Sequence, residues 1–170
     1  MNSGHSMLAV AAMLLLSVTI LGLNGKFLNT SNVLYNTKFG VLAVSLGTSI
    51  IEEANGKAFD LAGSEDAITD LSQLTAPGGL GPASGEVYPD FNDFDDFNGY
   101  TRTVSNMPSA VFNISCSVKY VSETNPSIVS SVRTWHKRMD VLVTSPSMRN
   151  ANNQQDTVKL SSVYSYWHFR

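Results

Sequence analysis

The residues best suited to chemistry in this sequence are carboxylates. The run Asp90-Phe91-Asn92-Asp93-Phe94-Asp95-Asp96-Phe97-Asn98-Gly99-Tyr100 interleaves four Asp with three Phe. Closely spaced Asp and Asn side chains offer the hard oxygen ligands that calcium prefers. Asp90, Asp93, Asp95 and Asp96 are therefore the candidate metal ligands, and calcium is the one candidate cofactor. The run departs from an EF-hand: counted from Asp93, Phe97 takes the third carboxylate position and Val104 the closing one. A structural reading stands beside it. Asn98-Gly99 is a turn signal because Gly accepts positive φ, and the Phe side chains would pin the loop to a core. The same Asp cluster could do acid–base work, but no partner pocket is evident in the sequence.

Other reactive groups point to no catalytic centre. His5, His136 and His168 lack metal-ligand spacing. His136 sits next to Lys137 and Arg138, which reads as a solvated strand face. There is no G-x-S-x-G, no phosphate-binding glycine loop and no Cys with a nearby His. Cys116 is single and cannot form an internal disulfide. It lies in an alternating strand pattern, where a small buried apolar residue is expected. No catalytic residue is assigned, and the chain reads as a non-enzyme.

The elements that must position these groups come in a clear order. Phe112, Ile114, Cys116, Val118 and Tyr120 alternate with polar residues, the period of a half-buried strand. A second strand is expected within 131–144, with Met139, Val141 and Val143 on one face, and a third over 157–169. There Val163 breaks the parity of Val158 and Leu160, so a bulge is expected near Ser161-Ser162. Short links favour an antiparallel meander. Between 57 and 98, Pro77-Gly78-Gly79, Gly81-Pro82 and Ser84-Gly85 mark turns. A short helix is expected over 64–74, with Ser64 as its cap and Glu65 and Asp66 in its first turn.

Upstream of the head, residues 7–23 read MLAVAAMLLLSVTILGL without a charge. As a helix this run extends about 25 Å, slightly short of the ~30 Å hydrocarbon core, which flanking residues could complete. A cleaved secretory signal would carry a basic n-region and a small-residue site after the core; the first residues, MNSGHS, carry no Lys or Arg, and no A-x-A follows. Apolar residues then continue at helical spacing at Leu28, Tyr35, Phe39, Leu42, Leu46 and Ile50. Pro is absent before Pro77, and Asn55-Gly56 is a plausible stop. One helix over 5–56 is expected, apolar all round in 7–23 and amphipathic in 26–56. Gly22 and Gly25 each weaken it by about 1 kcal/mol relative to Ala. They read equally as a break at a membrane boundary or as a weak point that melts on assembly. The fold class is α+β, a long N-terminal α-helix packed on a small antiparallel β-sheet, with residues 57–170 forming a loop region and β-rich head. The net charge of −3 without a basic stripe excludes a nucleic-acid partner.

This order of elements resembles the type IV pilin and type II secretion pseudopilin family. Gly4 before an apolar helix resembles the prepilin peptidase site, cut after Gly, which makes 1–4 the leader and His5 the first mature residue. Asp95-Asp96-Phe97-Asn98-Gly99-Tyr100 looks like the D-D-[FY]-N-G-[YF] stretch of pilin-like proteins. Lys137-Arg138-Met139-Asp140-Val141-Leu142-Val143-Thr144 is similar to their K-R-[IM]-x-V-x-V-T pattern. The resemblance implies a structural subunit, major or minor, of a pilus-like or pseudopilus filament serving motility, adhesion or secretion. It implies a filament and membrane core built from Met7, Leu8, Leu14, Leu15, Leu16, Ile20 and Leu21. Its partners would be copies of itself or related pilins and the assembly machinery. The chain would sit in the bacterial inner membrane with its head extracytoplasmic, and in an extracellular filament after assembly. Most family members carry Glu five residues after the cleaved bond, where this chain has Ala9; some minor pseudopilins at the filament tip share that departure. The usual basic residues before the cleaved Gly and the disulfide near the C-terminus are also missing. An uncleaved single-pass component of an envelope complex and a calcium-dependent adhesion module are the competing functions.

Overall fold

The computed structural model describes residues 3–63, 67–107, 110–150 and 154–166, with backbone alone at residues 3, 25 and 27–33. The chain divides after Lys38 into two compact units, each described by itself. The elements are α1 (Ser3–Asn55), β1 (Thr101–Val104), β2 (Phe112–Tyr120), β3 (His136–Arg149) and β4 (Gln155–Ser165). Short 3₁₀ turns occupy the connection between α1 and β1.

The unit up to Lys38 is helix throughout its described residues. Gly22 and Gly25 do not interrupt α1. Residues 4–24 form a stretch of 21 residues long and apolar enough to cross a membrane.

From Phe39 onward the fold is one four-stranded antiparallel sheet, in the order β1-β2-β3-β4, covered on one face by the part of α1 from Phe39 to its end. The inward positions follow strand parity. Cys116 pairs with Val141 and Val141 with Leu160; Val118 pairs with Met139 and Met139 with Ser162. The helix covers this face through small residues as well as large ones. Phe39, Ala43, Gly47, Ile50 and Ala54 are buried along it, spaced three or four apart as one helical stripe. Small residues let the helix axis approach the sheet. Tyr35, expected on the stripe, is exposed, and Leu28 lies outside the described side chains.

Three further expectations are corrected. The helix over 64–74 is absent from its described part: 67–70 are non-helical, and a single 3₁₀ turn spans Leu71–Gln73. Its cap is Asp70, in a reciprocal box with Gln73, while the Ser64, Glu65 and Asp66 cap lies outside the described residues. A hydrogen bond from Ile68 N to the Tyr166 hydroxyl at 2.7 Å satisfies the extended backbone before this turn. The bulge falls in β3 between Thr144 and Arg149, and β4 pairs in unbroken register from Thr157 to Ser165. Val163 simply faces outward, 41% exposed, while Ser162 takes the inward position and accepts a hydrogen bond from Asn55 Nδ2 at 3.4 Å. Finally, the edge strand β1 precedes the three strands that alternation predicts. The second strand lies at 136–149 rather than within 131–144, and of the third strand's expected span 167–169 lies outside the described residues.

Candidate functional site

Two features stand out, one in each unit. The first is the apolar helix surface. Every residue from Gly4 to Asn24 is exposed, including Met7, Leu8, Leu14, Leu15, Leu16, Ile20 and Leu21. Ala9 lies within this surface, and so do Gly4 and His5. Two of its hydroxyls bond back within the helix: Ser17 donates to Met13 O at 2.8 Å, and Thr19 to Leu15 O and Leu16 O at 3.0 and 2.8 Å. Such back-bonding removes the penalty of taking a hydroxyl into lipid or a dry helix bundle. The surface exceeds in length any apolar patch that a water-soluble monomer normally leaves open.

The second feature is a buried charge cluster in the head. Its scaffold is a short parallel contact between the chain leaving α1 and the acidic run. Ala58 bridges to Asp93: Ala58 N donates to Asn92 O at 3.3 Å, and Phe94 N to Ala58 O at 2.8 Å. This brings Asp60 alongside Asp95. Lys137 enters from β3, on the inward face shared with Met139, Val141 and Val143. Its Nζ donates to Phe59 O at 2.7 Å, to Asp60 Oδ2 at 2.8 Å and to Asp95 Oδ1. Lys137 is fully buried, and Asp60 and Asp95 are each 1% exposed. The ammonium also lies over the Phe59 ring at 4.6 Å and the Tyr120 ring at 5.5 Å.

The solvated face expected at 136–138 is thus wrong for Lys137, whose inward parity outweighs its charge because two carboxylates and a carbonyl replace its water. Neighbouring His136 is half-buried, with Nδ1 2.6 Å from Ser165 Oγ. Arg138 reaches Asp140 at 3.1 Å. His168 lies outside the described residues.

The acidic run is engaged in two ways. Asp93 caps the 3₁₀ turn Phe94–Phe97, accepting from Asp95 N at 2.8 Å and Asp96 N at 3.3 Å. Asp96 completes the reciprocal box, with Oδ2 accepting from Asn92 N at 2.9 Å and Asp93 N at 3.0 Å. Asp95 faces Lys137. The structure therefore brings Asp93, Asp95 and Asp96 together, while Asp90 is exposed. Among the described residues, no group of three or more His, Cys, Asp or Glu is arranged to hold a metal ion.

Phe91, Phe94 and Phe97 are buried, each stabilising the loop's attachment by about 1.5–3 kcal/mol. Gly99 has φ +80°, and its turn lets Asn98 Oδ1 accept from Val118 N at 3.0 Å. Burial and the neighbouring Asp95 and Asp96 charges push the Asp93 carboxyl up to about 8. Burial also raises Asp95, against the opposing pull of Lys137. Cys116 is buried, and burial pushes its thiol up to about 12, so it stays a packing residue at neutral pH.

Sequence reasoning missed Lys137 and Asp60 as members of one cluster. Parity along β3 carried the signal for Lys137. For Asp60, which lies 77 residues from Lys137 in a loop, no local pattern carried one. Comparison with protein-family models, curated proteins and solved structures finds no match.

Proposed function

We propose that this chain is a structural subunit of a pilus-like or pseudopilus filament, anchored and assembled through its N-terminal helix, with an extracytoplasmic head. The observation that carries the reading is the fully exposed apolar surface of Gly4–Asn24, belonging to a helix whose later residues supply one wall of a folded β head. An apolar surface of this length needs lipid before assembly and other apolar helices after it. The Asp95–Tyr100 and Lys137–Thr144 motifs support the pilin side of this reading. Both lie where the head needs them, at the turn before β1 and along the central strand β3. The head's role is structural rather than catalytic, its acidic run serving capping and charge pairing.

In this reading the bond after Gly4 is cut and His5 becomes the mature N-terminus. Ala9 then stands where a Glu would neutralise a neighbouring subunit's N-terminal amine, which favours a minor or initiating subunit. The test is the N-terminal sequence and mass of protein purified from its native envelope. A chain beginning at His5 supports entry into the prepilin pathway. A chain still beginning at Met1 or Asn2 overturns that processing and favours a permanently anchored single-pass subunit.

A further inference from the structure

The buried cluster holds an amine against a carboxyl in a dry, crowded site, and this is the arrangement for amide formation. We infer that Lys137 Nζ and Asp95 Cγ condense into an intramolecular isopeptide bond, tying β3 to the turn that precedes β1. The inference does not rest on the filament reading.

The three carboxyls around Lys137 have different surroundings, and these assign their roles. Asp60 accepts from Thr75 N at 2.9 Å, Thr75 Oγ1 at 3.1 Å and Ala62 N at 3.4 Å, besides Lys137. The network fixes Asp60 with Oδ2 2.8 Å from Lys137 Nζ, within reach of a proton on the ammonium. The Asp95 side chain is held differently: its Oδ1 meets Lys137, and its backbone N donates to Asp93 Oδ1 at 2.8 Å. Asp93 is held protonated at neutral pH by burial and by its acidic neighbours. It stands two residues before Asp95 at the head of the same capped turn, and is the acid offered to the oxygen that must leave. The Phe59 and Tyr120 rings flank the amine. They exclude water, the reagent that would reverse the reaction.

The step balances within these four side chains. Asp60 takes one of the three ammonium protons, leaving an amine. Asp93 passes its proton to an Asp95 oxygen as Nζ adds to Cγ, forming the C–N bond. The nitrogen gives up a second proton, the Cγ–O bond breaks, and the oxygen leaves as water. That water carries the Asp93 proton and one of the two shed by nitrogen; the other stays on the Asp60–Asp93 pair. Nothing is oxidised or reduced. Burial favours the product because a neutral amide replaces two charges held away from water, and the folded chain holds the reactants together at high effective concentration.

The test is peptide mapping of the full-length protein purified in detergent. Trypsin cuts after Lys57, Arg102, Arg133 and Arg138. A Lys137–Asp95 amide would join peptides 58–102 and 134–138 into one species, lighter than their sum by one water, with Lys137 uncut. Tandem fragmentation should place the link on Asp95. Lys137→Arg and Asp95→Ala should abolish the linked species. Asp60→Asn should abolish or greatly slow it while circular dichroism shows a retained fold. Should Asp60→Asn not fold, Asp93→Asn keeps a capping oxygen and should slow the link's appearance during refolding. Wild-type protein that yields only the free peptides, or a link on Asp60, overturns the inference.

Discussion

Gly47 of α1 faces Leu160 of β4 so closely that a Cβ on Gly47 would lie 2.6 Å from Leu160 Cδ1 and 3.3 Å from Val143 Cγ2. In a helix Gly is otherwise unfavourable by about 1 kcal/mol, so close packing on the sheet is what justifies it here. Gly47→Leu is expected to destabilise the head by about 1–3 kcal/mol, the usual range for overpacking. Gly47→Ala should be nearly neutral, since gained helix propensity offsets a shift of the flexible Leu160 tip. The check is thermal unfolding of the full chain in detergent, with a Gly47→Leu/Leu160→Ala double variant. Recovery in the double variant shows that the two positions couple; an equal loss in both variants would sink the explanation.

Lys137 is a fully buried cation paired with two buried carboxyls. Lys137→Met leaves Asp60 and Asp95 buried without their cation and is expected to lower stability by about 3–5 kcal/mol. Adding Asp60→Asn and Asp95→Asn to that variant removes the stranded charges and should restore much of the loss. Denaturant midpoints of the three proteins decide it. If the triple variant is no more stable than Lys137→Met alone, the loss came from packing or from the missing Lys137–Asp95 link rather than from stranded charge.

Much of this fold was legible because period alone carries it. The strand Phe112–Tyr120 alternates strictly in sequence and in burial, and α1 declares itself by apolar content and the absence of Pro. What stayed hidden depends on partners far away in the chain. Thr101–Val104 buries only Val104 and is a strand because it pairs with 112–115, which no local pattern of four residues reveals. The buried face of α1 was misread at Tyr35 because large apolar residues were counted, while the close approach is made by Ala43 and Gly47. Lys137 shows the same limit: its charge suggested solvent, yet it shares the parity of Met139, and only Asp60 and Asp95 make that burial tolerable.

The Asp93 carboxyl, raised to about 8, gives the head a pH dependence of definite sign. Between its usual value near 3.8 and about 8, folded Asp93 binds a proton that the unfolded chain does not. Stability therefore falls as pH rises through this window, is fully present below it, and is lost above about 8. Condensation of Lys137 with Asp95 would remove one charge that raises Asp93 and one that lowers it, and the sign would stay because burial, the largest cause, remains. Asp93→Asn keeps the capping oxygen but cannot titrate. Melting temperatures of the two proteins should agree near the acid end and separate towards alkaline pH, with the variant more stable. Parallel curves would remove Asp93 as the source.

Leu14 lies at the middle of the Gly4–Asn24 stretch, 63% exposed, and tests what that surface is for. An Arg at the centre of a spanning helix opposes insertion by about 2.5–3.5 kcal/mol, and in a dry bundle of neighbouring helices it would be a buried charge without a partner. Leu14→Arg is therefore expected to reduce both the carbonate-resistant membrane fraction and any sheared surface filament. Val87→Arg, a matched change at a position 64% exposed on the head, should leave both at the wild-type level. The two readouts separate the readings of this helix. Loss of filament with normal membrane retention would assign the surface to subunit packing, and loss of both would place the membrane step first. Wild-type levels of both in Leu14→Arg would mean that the exposed apolar helix serves neither role, and the filament proposal would fall with it.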